Sequence, residues 1–502
     1  MPSIRFNITQ DVAMSIYRRH RLILSLLTLA TLLGFGVVQA QTPLYWGGGS
    51  EDIANGTALP VTSNGLSGVW NTTAQNWAAD YNGNSYQAFA DDSFAVLGYF
   101  DHNDSTTARA FIGLDNDVTI SGLLMSLLSP IGNNHRFVLT SGVARTITMT
   151  GTNFLLAVLA QDVNRGFELR NLAFAGTVPL QRIGDSSWLV YANQPDFRSD
   201  VTLWGGRTIL RDGGAWPVVS NLLIRGFATR STDDLGGNNF SSPEINILAN
   251  TTGALTQVHS DAVITLSHGG LSYQGRGNNT LGRESVQTVR KIVLDPQGVI
   301  DLQTVTASGN YTGRLVMTQG LDRGPSGRGT LMVVGTSMLT DVIVSQGVTP
   351  GGVLPWIANN QGEFIQLNPS TLALERVPAT DAPNDLSLWS PGNNYRVGNN
   401  SSFTPSGVIG NTSINSLGLY ANDNVVLTIG DGNTFTISAG GINHQPAGSS
   451  KQTVIRGGQL TTGTDELVMH GGNSAASHSL ALDTAIVDPP GGTLSLLKAG
   501  IG

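Results

Sequence analysis

Arg145-Thr146-Ile147-Thr148-Met149-Thr150 and Asn433-Thr434-Phe435-Thr436-Ile437-Ser438 decide the reading of this chain. Each sets apolar side chains at every second position with Thr or Ser between, the period of a strand with one buried and one wet face. Both stretches are entered and left through Gly and Asn. Phe137-Val138-Leu139-Thr140-Ser141-Gly142 leads into Arg145–Gly151 much as Val425-Val426-Leu427-Thr428-Ile429-Gly430 leads into Asn433–Gly440. A third echo, Ala262-Val263-Ile264-Thr265-Leu266-Ser267, runs into His268-Gly269-Gly270-Leu271. Short strands separated by such turn signals recur from residue 111 onward. No segment after residue 40 sustains a helical apolar stripe. Leu123–Leu128 comes nearest, and Pro130 and Gly132 bound it. The expectation is an all-β chain, an elongated β-solenoid (β-helix) of short strands preceded by a signal helix.

Composition narrows the function. Only 12% of the 502 residues are charged, while 40% are hydrophobic and periodically placed, which argues against disorder. The net charge is −8, and removal of Arg5, Arg18, Arg19, Arg21 and Asp11 with a leader makes it more negative. That argues against nucleic acid and anionic membranes as partners. No cysteine occurs, which removes disulfides, thiolate zinc sites and cysteine nucleophiles.

Arg18-Arg19-His20-Arg21 precedes the apolar run Leu22–Val38, and Val38-Gln39-Ala40 places small residues before a cut. Residues 1–40 read as a signal peptide cleaved between Ala40 and Gln41, which implies engagement of the secretion machinery. Residues 41–110 form a region rich in tryptophan. Trp46, Trp70 and Trp77 lie among Gly, Asn and Thr, suited either to closing the end of a repeat array or to stacking on sugars. Residues 111–502 read as one repeat region sharing a continuous apolar spine, with Asp381-Ala382-Pro383-Asn384 and Ser390-Pro391-Gly392-Asn393 as loops between repeats.

Candidates for chemistry are few. Asp91-Asp92, Asp101-His102-Asn103-Asp104 and Asp233-Asp234 could line a groove or bind calcium, but they sit in turn contexts. The turn Gly430-Asp431-Gly432-Asn433 superficially resembles one unit of a calcium β-roll. Histidines 102, 135, 259, 268, 444, 470 and 478 lack metal spacing and read as lone surface side chains, though His470 and His478 could face each other. No catalytic, cofactor-binding or metal-binding residue is assigned, and no cofactor.

The segment Gly184–Trp216, GDSSWLVYANQPDFRSDVTLWGGRTILRDGGAW, resembles the autotransporter-associated β-strand repeat. Trp188-Leu189-Val190-Tyr191 matches its first strand, Asn193 its Asn turn, Phe197 its aromatic position, and Val201–Leu210 its closing strand pair. Ser199 stands where that pattern prefers Gly, and Arg207-Thr208-Ile209 replaces its usual Gly-Thr-Leu. Gly309-Asn310-Tyr311-Thr312-Gly313 echoes part of the motif, and Leu496–Gly502 looks like the truncated start of another copy. The resemblance implies a large exported bacterial β-helical protein, secreted or held at the cell surface and associated with the outer membrane. It also implies a structural or adhesive passenger that is not an enzyme, partners among surface glycans or extracellular matrix, and further repeats or a membrane anchor beyond residue 502. The alternatives are a polysaccharide-active β-helix enzyme and a glycan-binding surface protein.

Overall fold

Two stretches of alternating sequence lie side by side whenever their apolar rows can be buried together, and here that rule organises nearly every pairing. The computed structural model describes residues 43–46, 68–79, 86–97, 109–127, 136–160, 166–184, 186–211, 213–226, 244–248, 257–275, 285–304, 313–334, 342–359, 361–398, 403–420, 424–445, 452–471 and 479–500. The protein is all-β. Among the described residues the regular elements are strands, apart from a 3-10 turn at Leu386–Leu388. The proposed signal peptide, with Ala40 and Gln41, lies outside them.

The first of two long parallel ladders joins Pro43–Trp46, Ser93–Leu97, Val118–Leu127, Phe154–Ala160, Leu180–Ile183, Val201–Leu203, Asn221–Arg225, Val263–Ser267, Lys291–Leu294 and Leu321–Asp322. One inward row follows the register through Leu44, Ala95, Leu123, Leu156, Arg182, Leu203, Ile224, Leu266 and Leu294, and every member is buried. Each fully buried Leu or Ile in such a row stabilises by roughly 1.5–3 kcal/mol. Arg182 is the exception in kind. Its Nη2 donates to the Ser186 carbonyl, while Ser186 Oγ donates to the Val158 carbonyl.

The second ladder runs from Gly68–Trp70 through Arg109–Leu114, Arg136–Met149, Gly166–Ala175, Ser187–Val190, Arg207–Leu210, Glu244–Leu248, Gly269–Gly275, Gln297–Thr304 and Thr330–Val334 to Val353–Asn359. Its inward row includes Phe137, Phe167, Trp188, Thr208, Ile245 and Leu271. A third, shorter parallel set joins Ser285–Val289, Gly313–Met317 and Val342–Val344. The chain visits these sets in rotation.

Bends between the sets need residues that tolerate left-handed backbone or supply hydrogen bonds. Within Gly166–Ala175 the bend falls at Asn171, with φ 55°, where the register to its neighbour shifts. Within Gln452–Thr462 it falls at Gly457 and Gly458, with φ 76° and 37°. Buried glutamines do similar service. Gln194 Nε2 donates to the carbonyls of Leu172 and Ala192. Gln287 Oε1 accepts from the amides of Gln257 and Val258, and its Nε2 donates to the Val258 carbonyl. Buried backbone groups at a bend must be paired somewhere, and these side chains pair them.

The apolar interior does not continue unbroken to the end. One cluster runs from Leu44 to Leu374, a second from Leu386 to Leu467, and a small third contains Ala358, Phe364 and Val377. The first stack is closed at its far end by the antiparallel strands Val353–Asn359, Phe364–Leu367 and Leu374–Arg376. The segment containing Asp381–Asn384 therefore leads from one stack into another rather than bridging two neighbouring repeats. The second stack has its own parallel ladders. One is Thr380–Asp381, Asn394–Val397, Ser416–Leu419, Gly441–His444, Glu466–Gly471 and Ser495–Gly500. The other contains Thr412–Ile414, Val425–Thr428, Thr434–Ile437, Gln452–Thr462 and Ser479–Ile486.

Candidate functional site

The three N-terminal tryptophans converge, and they converge inward. Trp46 lies edge-on to Trp77 at 5.2 Å between centroids, Trp77 lies 4.8 Å from Trp70, and Phe89 contacts both Trp70 and Trp77. Trp46 pairs with Trp77 across an antiparallel register at the start of the first ladder, while Trp70 begins the second. All three indoles are fully buried. Sugar stacking needs an exposed ring face, and Trp46, Trp70 and Trp77 present none. These rings pack with Phe89 against the first strands of both ladders.

The acidic candidates resolve into turn chemistry where they are described. Asp91 Oδ1 accepts from the Thr119 amide at 3.0 Å, and Asp92 adopts φ 64°. Asp117, Asn411 and Asn424 accept in the same way from the amides of Thr146, Thr434 and Gln452. Each side-chain oxygen satisfies a backbone donor on a neighbouring strand. Gly430–Asn433 forms a turn closed by the Asn433 amide on the Gly430 carbonyl. Asp101–Asp104, Asp233, Asp234, His102, His135 and His478 lie outside the described residues. Among those described, no three His, Cys, Asp or Glu side chains converge as a metal-ligand group.

Two buried carboxylate clusters escaped the sequence reading. Glu168 projects from the outward side of Gly166–Ala175, yet its side chain is fully buried. Its Oε1 meets Arg136 Nη1 at 2.6 Å and its Oε2 meets Arg170 Nη2 at 2.6 Å. Burial pushes its pKa up, but the Arg136 hydrogen bond and the charge of Arg170 outweigh it and hold the carboxyl below the ordinary value. The Arg170 guanidinium also covers the Tyr191 ring at 5.2 Å. A carboxylate clamped this way is an ion-pair anchor, with its proton affinity moved away from acid catalysis at neutral pH.

The second cluster lies where the two stacks meet. In the ladder beginning Thr380–Asp381, one row runs Arg396, Gly418, Asn443, His470 and Ala499. Strand alternation turns this row away from its own core, and the first stack covers it. Arg396 Nη1 reaches Glu363 Oε1 at 2.9 Å, and Arg376 reaches the other oxygen at 3.4 Å. Asn443 Nδ2 donates to the carbonyls of Asn359 and Glu363. His470 Nε2 donates to the Pro355 carbonyl at 2.8 Å, with the Phe364 ring edge-on nearby. A Cβ on Gly418 would sit 2.1 Å from the Gly362 carbonyl oxygen, so only glycine permits this approach. Arg323 adds an ion pair to Glu466 at 2.8 Å while lying over Trp356.

His470 is thus a buried contact rather than the surface side chain expected. Its neighbours in register are Asn443 and Ala499, on the strands either side. Burial pushes its pKa down to about 4, opposed in part by the bond to Pro355. The imidazole is neutral at ordinary pH, with Nε2 carrying the proton. Nothing local in Glu466-Leu467-Val468-Met469-His470 signals this. The signal is the run of small or amide residues, Gly418 and Asn443, at successive positions of one row, visible once the register is known.

The segment resembling the β-strand repeat spans Ser187–Val190, Val201–Leu203 and Arg207–Leu210, with Asn193 and Phe197 in isolated parallel bridges to Ala215 and Gly176. Ser199, at the position where Gly is preferred, is buried and donates to the Gly176 carbonyl. No family model, no curated protein and no solved structure matches this chain.

Proposed function

We propose that this chain is an exported β-solenoid whose role is structural or adhesive, a stalk or passenger displayed at or released from a bacterial cell surface. The observation that carries the reading is the row from Leu44 to Leu294, in which strands of one ladder stack parallel and in register with each inward position buried. A chain that visits several such ladders in rotation winds as a coil, and a coil of this kind gains length rather than an enclosed pocket. The buried acids support a passenger over a polysaccharide-active enzyme, because Glu168 and Glu363 are occupied by Arg136, Arg170, Arg376 and Arg396. The resemblance of Gly184–Trp216 to the autotransporter-associated repeat supports display, as do the signal-like residues 1–40. Surface glycans or matrix are the partners this role calls for, with secretion machinery acting on the leader.

Expression in a Gram-negative host, followed by fractionation and N-terminal sequencing, tests the export half. The expected product begins at Gln41 and leaves the cytoplasm. Retention in the cytoplasm with residues 1–40 intact would sink the passenger reading. Small-angle scattering of the same product tests the rod, with a long, narrow particle expected.

A further inference from the structure

The two stacks are joined by contact and not by strand pairing. Among the described residues no strand of one pairs with a strand of the other, and the chain crosses between them through the exposed Pro378 and Ala379. What holds them is the outward face of the ladder beginning Thr380–Asp381, laid against the closing strands of the first stack. Gly441 admits Phe364 and Pro355 to this face, since an added Cβ would lie 2.6 Å from the Phe364 ring and 3.2 Å from Pro355 Cβ. Val468, beside Gly441 in register, points the same way and is fully buried. The polar side chains of the face reach across. Arg396 meets the Glu363 carboxylate, Asn443 the Asn359 and Glu363 carbonyls, Glu466 the Arg323 guanidinium, and His470 the Pro355 carbonyl. Behind the joint each stack keeps an interior of its own, one from Leu44 to Leu374 and the other from Leu386 to Leu467.

We propose that this joint is an acid-operated release, in which protonation of His470 parts the two stacks while each keeps its own fold. The imidazole already donates its Nε2 proton to the Pro355 carbonyl, so a second proton, at Nδ1, brings a full charge into a contact closed to water. The groups around it offer that charge no partner. Val353–Asn359 carries no ionisable side chain. Glu363, in the turn that follows, is occupied by Arg376 and Arg396, and Arg396 also reaches Asp381. Glu466, on the same strand as His470, is occupied by Arg323. On the flanking strands Asn443 and Ala499 lie beside His470, while His444 and Lys498 alternate to the opposite face. In the closed joint the imidazole is held down to about 4, and in the open one it meets water and returns to its ordinary 6.5. The charged form therefore favours the open joint. That preference sets in as pH falls below 6.5 and is complete near 4. The release is independent of the role proposed above, because a chain with this joint would open in acid whatever it binds and wherever it resides.

The test is thiol labelling of the full chain, which has no cysteine of its own. Val468→Cys sets a reporter in the closed joint, and Val425→Cys sets one in the interior of the second stack. Leu496→Cys, at an exposed position, supplies the reagent's own pH dependence. Relative to it, labelling of Val468→Cys by a dipyridyl disulfide should accelerate on the order of 50-fold between pH 7 and pH 4.5, while Val425→Cys stays slow. Adding His470→Gln, which keeps a donor for the Pro355 carbonyl but does not titrate, should remove most of that acceleration. Ala499→Cys, buried on the next strand of the same face, repeats the measurement should the Val468→Cys chain fail to fold. Labelling in the joint that is as slow at pH 4.5 as at pH 7, equal acceleration of Val425→Cys, or acceleration undiminished by His470→Gln would overturn the proposal.

Discussion

The two stacks use the same alternation and are finished differently. The first carries a lid of four aromatic rings at one end and an antiparallel closure at the other. In the second, Trp389 stacks on Tyr395 near the first strands, while Leu482 is half-buried and Leu496 and Lys498 are exposed on the last described ones. The difference teaches that parallel stacking has no internal reason to stop. Each added strand covers the one before and exposes a new edge, so a stable end requires a separate, non-repeating device.

That contrast can be broken most strongly at the lid. Trp77 touches Trp46, Trp70 and Phe89, and Trp77→Ala leaves a large cavity among them. A loss of about 3–5 kcal/mol is expected in urea unfolding monitored by tryptophan fluorescence. An effect below about 1 kcal/mol would mean the rings do not seal the end.

Acid is the next lever, and it acts where the stacks join. His470 titrates near 6.5 when unfolded and is held down to about 4 when folded. The folded state therefore resists protonation that the unfolded state accepts. Its contribution is complete above pH 6.5 and is lost as pH falls from there toward 4. The loss amounts to about 3 kcal/mol over that window. Glu466, paired with Arg323, and Glu363, paired with Arg376 and Arg396, lie on the strands and turn around it, and Lys498 lies on the next strand. Urea titrations at pH 7 and pH 4.5 should show a steep loss in the parent and a shallower one in His470→Gln. Equal slopes would remove His470 from the joint.

Gly457→Ala probes a bend in the second stack. The position has φ 76°, and an added Cβ would lie 2.5 Å from the Ile429 carbonyl oxygen. A cost of about 1–3 kcal/mol is expected in urea unfolding, confined to the transition of the second stack.

Arg182→Leu should act in the opposite direction and least. A guanidinium sits in the inward row between Leu156 and Leu203, and an apolar side chain there removes a desolvation cost. A gain on the order of 1 kcal/mol is expected in thermal unfolding. A clear destabilisation would show that the Ser186 carbonyl needs this donor.

The strands were legible in sequence because Thr between Ile, Met and Phe states both the period and the buried face. Ile147, Met149, Phe435 and Ile437 are all buried as that period requires. Arg182 was not legible, since an arginine in an alternating stretch reads as outward whichever row it occupies. The division near residue 380 was also missed. Asp381-Ala382-Pro383-Asn384 has the composition of any turn, and only the antiparallel pairing before it marks a stack ending. Asn443 and His470 look solvated because their row faces away from its own core. What buries them is the other stack, which lies about a hundred residues away in sequence and leaves no local trace. The tryptophans read in sequence as either a cap or a platform, and the structure buries all three rings.

Register is the central claim, and spin-label distances test it directly. One label is fixed at Gln181, and a second is moved through Thr202, Leu223, Thr265, Val293 and Asp322, which follow one another across the first ladder. The absence of native cysteine allows these pairs to be made in an otherwise unaltered chain. Distances should rise by about 4.8 Å per step to about 24 Å at Asp322. Distances that scatter, or that rise with residue separation rather than strand number, would contradict the parallel stack.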